Sequence, residues 1–230
     1  MTLWSRILIR RIVKSFGFWG SIVFALAMAV ASRGHGGASS VLPGGIGSFV
    51  LPVALFSAIH AASEQRGLRG LISFPIGFGQ SPVRAILYSA GALIGFSAVA
   101  SAILGLLVAA IAHSNVDPPL ARDLLSSTWA LGVSGGAYAS LFLFGGSYGK
   151  RGGGAQLALV ADYMFGSTNT SIARWLPRAH VQHILGGESV LDGSPIASMG
   201  TLWLISIVLV ALLVLRAKRL GRAGFARQQA

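Results

Sequence analysis

The chain contains no cysteine, which excludes disulfide bonds and thiolate-ligated metal sites. Charged residues are scarce as well. They make up 10% of the 230 residues, whereas an average soluble domain has about 25%. The chain also has apolar runs close to the roughly 20 residues that a bilayer span needs. This composition excludes an ordinary soluble domain and places the chain in a membrane.

A nucleotide-binding phosphate loop is absent too. No Gly-x-x-x-x-Gly-Lys-Ser/Thr pattern occurs, so the chain cannot hydrolyse ATP by that chemistry. The glycine-rich segment 145–154 has a lysine, but it lacks the Lys-Ser/Thr pair and follows an apolar run rather than a strand. The net charge of +12 does not indicate nucleic-acid binding, because the basic residues lie at the ends of apolar runs rather than beside stacking aromatics.

Six apolar segments predict an all-α, polytopic membrane protein with a single transmembrane domain over residues 1–230. They lie at 16–31, 45–62, 83–112, 124–148, 153–168 and 199–215. Helices are expected because a backbone in lipid must satisfy its own hydrogen bonds. The basic start, the first run and the sequence AMAVAS at 27–32 also resemble a secretory signal peptide. We expect the run to be retained as the first span.

The basic residues predict which ends of the spans face the cytoplasm. Four of the 18 Lys and Arg residues lie on one side: Arg33, Arg122, Arg174 and Arg178. The others lie on the opposite side: Arg6, Arg10, Arg11, Lys14, Arg66, Arg69, Arg84, Lys150, Arg151, Arg216, Lys218, Arg219, Arg222 and Arg227. Because cytoplasmic loops carry the excess of basic residues, both termini are expected in the cytoplasm.

The two ends of the chain are basic. Residues 1–15 predict an amphipathic helix in the headgroup layer, with Arg6, Arg10 and Lys14 on one face. Leu3, Trp4, Ile7 and Leu8 form the opposite, apolar face. Residues 216–230 form a basic cytoplasmic tail.

The segment 64–81 predicts a short cytoplasmic helix between the second and third spans. Pro75 is expected to stop that helix, and Ser81 with Pro82 supplies an N-cap and a first-turn proline for the third span. The residues 71–74 are apolar in a loop that could have been polar. An exposed apolar face of this kind predicts contact with a partner subunit, and the alternative is a loop that shields itself against the membrane.

This segment resembles the cytoplasmic coupling element of ATP-binding-cassette (ABC) type-2 permeases, the six-span membrane subunits of many exporters. The family pattern is an acid, a Gly-Thr three residues later, an apolar run, Ser-apolar-Pro, and a basic residue opening the third span. The residues at the matching spacing are Glu64, Gly67, Leu71, Ile72, Ser73, Phe74 and Pro75, with Arg84 close to the basic position. Two residues depart from the pattern: Leu68 replaces the threonine, and Gly70 stands where an acid is common.

The resemblance implies a permease subunit that forms the substrate pathway of an ATP-driven exporter. It implies a separate ATPase subunit, which holds the ATP and magnesium and contacts the matching residues and Arg66. It further implies a homodimer in the prokaryotic plasma membrane, in contact with membrane lipid, and no catalytic site or cofactor in this chain. By the same resemblance, the segment 169–198 forms short extracellular re-entrant helices.

Polar and small residues inside the predicted spans suggest further roles. Asp162 is expected to face protein or a water-filled pathway, because a carboxylate at the bilayer centre costs about 3 kcal/mol. Asn169, seven residues on, would share its helical face, and both are pathway candidates. The alternative is that the fifth span is short and Asp162 lies near the outer interface. Gly91 and Gly95 in the third span, and Gly132, Gly136 and Ser140 in the fourth, have small-xxx-small spacing. They are expected to pack helices within the chain, with a homodimer contact as the alternative.

The histidines predict no metal site. His60 is expected to pair with Glu64, one turn away, with a proton relay as the alternative. His180 and His183 have the spacing of two metal ligands but lack a third at helical spacing.

Two other functions remain open from the sequence. Ser134 in GVSG, with His180, resembles a rhomboid intramembrane protease, although the sixth apolar run lacks the family's histidine. A membrane scaffold without transport is the other alternative.

Overall fold

The structure is a computed structural model that describes residues 3–33, 35–64, 66–115, 117–187 and 191–228. Within these ranges 82% of the residues are helical and none forms a strand, which confirms the all-α prediction. The helices are α1 Leu3–Val13, α2 Phe16–Ser32, α3 Gly37–Val41, α4 Leu51–Ala62, α5 Leu68–Gly77, α6 Pro82–Ala112, α7 Leu120–Gly146, α8 Gly154–Phe165, α9 Pro177–Ile184 and α10 Pro195–Gln228. A π-helical stretch, Leu42–Val50, joins α3 to α4, and 3-10 turns lie at Lys150–Gly152 and Ala173–Trp175.

Local sequence explains where the long helix α6 begins. Ser81 is its N-cap, and its hydroxyl accepts a hydrogen bond from the backbone N–H of Arg84 at 3.3 Å. Pro82 occupies the first turn, where its missing N–H costs nothing. Both predictions made for this helix start are therefore confirmed.

Three described helical stretches are long and apolar enough to cross a bilayer. They are Gly37–Ala62, which consists of α3, the π-helical stretch and α4; Pro82–Ala112, which is α6; and Pro195–Arg219, which belongs to α10. The pair α1 and α2, which meet at a bend of 59°, adds a fourth if it acts as one broken span. The helix α8 has 12 residues, about 18 Å, and is too short to cross the hydrocarbon core alone. The chain is thus a helical membrane protein, and the number of six spans stays a prediction.

The helix α7 is long enough to cross a membrane but is less apolar than those three, because it contains many serine and glycine residues. It contacts α4, α6, α8, α9 and α10. Its Tyr138, Phe142, Leu131 and Leu143 are fully or almost fully buried. Because protein rather than lipid surrounds much of α7, its polar composition does not exclude a membrane position.

Small residues allow α6 and α7 to approach closely. A Cβ added at Gly135 would collide with the side chain of Ser101, and one added at Gly132 would lie 3.3 Å from the Cβ of Ala102. By contrast, a Cβ added at Gly91 or Gly95 would meet nothing within 4 Å. The prediction of packing within the chain is therefore confirmed for Gly132 and Gly136, which lie against α6, and wrong for Gly91 and Gly95.

The bundle has two distinct ends, separated by the length of α6, about 46 Å. At one, which we name the basic end, α1 contacts α5 and α6, and the loop after α7 contacts α10. At the other, which we name the far end, the loop before α7 bonds to α3, and α9 packs on the π-helical stretch and on α10. Arg11, Arg66, Arg69, Arg151 and Arg216 all lie at the basic end.

Candidate functional site

The helix α5 occupies the segment predicted as the coupling element, but Pro75 lies inside it rather than at its end. The helix continues to Gly77, so the prediction that Pro75 stops it is wrong. A proline inside a helix has no N–H for the carbonyl four residues earlier. In α5 that carbonyl belongs to Leu71, whose oxygen is therefore available to other donors.

Groups from two other helices bind this oxygen. The indole Nε1–H of Trp4 in α1 lies 3.1 Å from it and 2.8 Å from the hydroxyl oxygen of Ser89 in α6. The Ser89 hydroxyl lies 3.1 Å from the Leu71 oxygen and 2.8 Å from the carbonyl oxygen of Ala85 in its own helix, and its one proton is shared between these two acceptors. We name the groups of Trp4, Ser89 and Leu71 the Leu71 cluster. It is buried, and it ties α5 to both α1 and α6.

A second set of contacts joins α1 to the start and the outer face of α5. Arg11 forms an ion pair with Glu64 at 2.6 Å, and its guanidinium lies 5.3 Å from the centre of the Trp4 ring. The Trp4 ring stacks on Phe74 with centroids 5.0 Å apart. Glu64 is held at a positive φ of 49°, a strained backbone conformation of the kind that occurs at functional sites.

The predicted partner of Glu64 was wrong. His60 stacks on Phe56 with ring centroids 5.5 Å apart, and Arg11 forms the ion pair with Glu64. Arg11 could not be found by helical spacing from Glu64, because it belongs to a different helix.

Glycine is required where α5 meets its neighbours. A Cβ at Gly67, which has φ +57°, would collide with the carbonyl oxygen of Gly146 and lie 3.0 Å from Gly152. A Cβ at Gly70 would collide with the carbonyl oxygen of Ser63. The glycine that replaces the family's acid at position 70 is therefore needed by this chain's own packing.

The structure divides the predicted coupling residues into two groups. Gly67, Leu71, Ile72 and Pro75 are buried, as is Leu68. Those that face outward are Glu64, Arg66, Ser73 and Phe74, followed along the chain by Ile76 and Phe78. Phe78 is 75% exposed and its ring centroid lies 4.8 Å from that of Phe74. The buried group attaches α5 to the bundle, and the outward group forms a partly apolar surface at the basic end.

Asp162, a predicted pathway residue, is fully buried in α8. One carboxylate oxygen accepts a hydrogen bond from the hydroxyl of Tyr138 at 3.2 Å, and the other accepts one from the backbone N–H of Arg178 at 3.1 Å. The second bond lies at the N-terminus of α9, where a negative charge is favourable. Asp162 thus faces protein, and it holds α9 against α7 and α8.

Asn169 does not share a helical face with Asp162. The helix α8 ends at Phe165, and Asn169 lies exposed in the following loop. The prediction of a polar stripe on one helix is therefore wrong. The role of either residue in a pathway stays a prediction.

One cluster at the far end has the geometry of a cation site. The ligand atoms of His113, Asp117 and Asp123 lie within 4.8 Å of one another, a grouping that spacing along one helix could not predict. Nδ1 of His113 and Oδ2 of Asp123 are 3.6 Å apart, buried, and without a hydrogen bond among the described residues.

The Asp117 carboxylate in this cluster already has protein partners. It accepts hydrogen bonds from the backbone N–H groups of Ala38 at 3.0 Å, Ser39 at 2.9 Å and Ser114 at 2.8 Å. Burial raises the pKa of this carboxyl group, but the bonds from Ser39, Ala38 and Ser114 outweigh burial and hold the pKa well below its usual value of 3.8. Asp117 thus joins the loop before α7 to α3, and we propose no metal there.

The other candidate residues have separate partners. Nε2 of His180 bonds with the carbonyl of Arg174 at 2.9 Å, and Nδ1 of His183 bonds with the hydroxyl of Ser198 at 3.0 Å. The hydroxyl of Ser134, the nucleophile in the protease interpretation, is buried and donates to the carbonyl of Ala130 at 2.7 Å. The structure does not bring Ser134 and His180 into hydrogen-bond contact.

Comparison of the chain with protein families, with curated proteins and with solved structures finds no match. The site therefore has to be interpreted from its own geometry. Its main feature is the junction of α1, α5 and α6 at the basic end.

Proposed function

We propose that the chain is the membrane-spanning permease subunit of an ATP-driven ABC exporter of type 2. It forms the substrate pathway and couples through α5 to a separate ATPase subunit. The observation that carries the proposal is the placement of α5. A short helix between two long ones exposes Ser73, Phe74 and Phe78 while the Leu71 cluster ties it to α1 and α6.

This arrangement can transmit motion. A partner that pushes on the exposed face of α5 also displaces the carbonyl of Leu71, and with it the hydrogen-bonded Trp4 and Ser89. Because Ser89 belongs to the 31-residue helix α6, a small movement at the basic end reaches the far end as a tilt of that helix. Such coupling is expected of an element with two packed arrangements.

The resemblance in sequence supports the same function. Three residues at the family's spacing have a structural part in the junction. Glu64 forms the ion pair with Arg11, Gly67 allows the close approach to Gly146, and Pro75 leaves the carbonyl of Leu71 without its usual donor. The substitution of Leu68 for the family's threonine places a buried leucine at the junction.

The remaining parts of the proposal follow from the family. ATP and magnesium bind the partner subunit, because this chain has no phosphate loop. Two copies of the chain form the permease in a prokaryotic plasma membrane, with the basic end and both termini in the cytoplasm.

The test is co-purification of an ATPase. The tagged chain is expressed with its neighbouring genes, solubilised in detergent and purified, and co-purifying protein is assayed for ATP hydrolysis. Ser73→Asp in α5 and Phe78→Asp directly after it change exposed positions, so we expect them to remove the ATPase without lowering the thermal unfolding temperature. Glu64→Ala and Phe74→Ala break contacts with α1, and we expect them to retain less ATPase or to uncouple its activity.

The control is Trp175→Asp, which places a charge on an exposed aromatic position at the far end. It should leave the co-purified ATPase unchanged. The permease proposal would be contradicted if no ATPase co-purifies and a serine-hydrolase probe labels Ser134. That result would support a rhomboid-like protease instead.

A further inference from the structure

A cavity of about 680 Å³ lies at the basic end beside α5. The residues that line it include four arginines: Arg66, Arg69, Arg151 and Arg216. They come from three parts of the chain, namely the start of α5, the turn between α7 and α8, and α10. We name this space the arginine cavity.

One of the arginines, Arg216, has a side chain that is held in place by the fold. The Nε of Arg216 donates to the carbonyl of Ser147 at 2.9 Å, and its guanidinium lies 3.6 Å from the centre of the Tyr148 ring. Arg151 adopts a positive φ of 64° in a turn flanked by glycines. The Arg216 guanidinium has five N–H donors, and the bond to Ser147 uses one of them.

Among the described residues, the arginines of the cavity have no acidic residue beside them in its lining. Glu64, the acid nearest in sequence, forms its ion pair with Arg11. Asp117, Asp123 and Asp162 lie in the far-end contacts described above. Four arginines line one space, three of them exposed to solvent, and a bound anion would offset the repulsion among their charges.

The position of the cavity along the bundle indicates the kind of anion. Arg216 directly follows the apolar run of α10, and Tyr148 lies just after the end of α7. Tyrosine and arginine at the ends of spans mark the level of the lipid headgroups. Basic pockets at this level bind the phosphate of anionic lipids, and arginine suits a phosphate because its guanidinium binds two oxygens at once.

We propose that the arginine cavity binds the phosphate of an anionic phospholipid headgroup. The bound phosphate adds a bridge between α5, the turn between α7 and α8, and α10, beside the direct contacts of Gly67 with Gly152 and of Arg216 with Ser147. The inference goes beyond the proposed function, since lipid binding needs no ATPase.

The test uses the full chain, delipidated in an uncharged detergent. Phosphatidylglycerol in mixed micelles is titrated against the protein, and binding is followed by native mass spectrometry and by the thermal unfolding temperature. We expect one tightly held phosphatidylglycerol per chain, and weaker retention of phosphatidylcholine, which has no net charge. In the double variant Arg66→Gln, Arg151→Gln, affinity for phosphatidylglycerol should fall roughly tenfold or more, because two charge-assisted bonds are lost.

The matched control is the double variant Arg122→Gln, Arg174→Gln, which removes the same charge from exposed positions at the far end. It should bind phosphatidylglycerol like the unmodified chain. An equal loss of affinity in both double variants would overturn the proposal, because it would show general attraction to a basic protein. Equal stabilisation by inorganic phosphate alone would overturn it as well, and would assign the cavity to a soluble anion. Neither result depends on whether an ATPase co-purifies, so the proposed function is tested separately.

Discussion

Asp117 shows how one carboxylate joins the loop before α7 to α3 at the far end. Its backbone partners lie in α3 and at the end of α6, and His113 and Asp123 are the titratable groups beside it. Because the folded pKa of Asp117 lies below its unfolded value of 3.8, its contribution to stability is complete above that pH. The contribution is lost progressively as the pH falls from there toward the lowered pKa of the folded protein.

We therefore expect Asp117→Asn to lower the thermal unfolding temperature at pH 7, and to lower it less at pH 3, where the unmodified protein has already lost part of this contribution. Unfolding in detergent from pH 7 to pH 3 measures this difference. The control Asp192→Asn changes an exposed acid in the loop before α10 and should have little effect. A difference between Asp117→Asn and the unmodified protein that does not shrink below pH 4 would contradict the assignment.

Asp162 can be tested for the two roles that its sequence position suggests. Asp162→Ala leaves the Tyr138 hydroxyl and the Arg178 N–H buried without their acceptor, at a cost on the order of 2 kcal/mol. We expect lower stability and faster hydrogen exchange in α9, and a smaller loss for Asp162→Asn, which keeps one acceptor oxygen. Unchanged stability together with reduced coupled ATPase activity would instead support a pathway role.

Among the helices, the contact between α1 and α5 has the clearest physical basis. Trp4→Phe keeps an aromatic ring against Phe74 but removes the indole N–H from the Leu71 cluster. We expect a loss of about 1 kcal/mol in stability and faster hydrogen exchange of the α5 amides. Thermal unfolding and exchange mass spectrometry measure the two effects.

Two further variants make that result specific. Trp175→Phe changes a tryptophan that is 69% exposed, and it should leave α5 unaffected. Ser89→Ala removes the hydroxyl that accepts from Trp4 and lies beside the Leu71 oxygen. Combined with Trp4→Phe, it should cost a different amount from the sum of the two single variants, since the two side chains bond to each other and meet at one carbonyl. If the losses of stability in the two single variants add up to that of the double variant, Trp4 and Ser89 contribute independently, and the Leu71 cluster is not one coupled unit.

The composition of α7 also explains why hydropathy predicts the number of spans less well than it predicts that the protein lies in a membrane. Hydropathy measures how well a helix suits lipid, and α7 is largely surrounded by other helices. The polar groups in α7 bond locally, as Ser134 does with Ala130 and Ser140 with Gly136. An interior helix can therefore be less apolar than one that faces lipid.

For the assembled bundle, the main prediction is the position of its two ends relative to the membrane. The chain has no cysteine, so single cysteines can be labelled without background. In intact cells, Thr170→Cys at the far end should react with a membrane-impermeant maleimide, and Ser73→Cys on α5 should react only after permeabilisation. Both residues are exposed in the structure, so access to the reagent depends on the side of the membrane. Labelling of Ser73→Cys in intact cells would reverse the proposed topology.

The sequence by itself determined the properties that depend on composition and local spacing. Low charge and long apolar runs specify a helical membrane protein, and Ser81 with Pro82 specifies the start of α6. The alternation of basic and apolar residues in 1–15 predicts an amphipathic helix. In the structure, Trp4 and Leu8 are buried while Arg6, Arg10 and Lys14 are exposed. Each of these features is set by residues within a turn or two of one another.

Only the tertiary structure decided which partner each polar group has. Glu64 pairs with Arg11 rather than with His60, and Asp162 bonds to the start of α9 rather than sharing a stripe with Asn169. The sequence predicted that Pro75 ends the helix, whereas in the structure α5 continues past it. The carbonyl of Leu71 is therefore approached by Trp4, 67 residues away, and by Ser89 in another helix. Such contacts depend on how the helices pack, because packing brings together side chains that no local spacing relates.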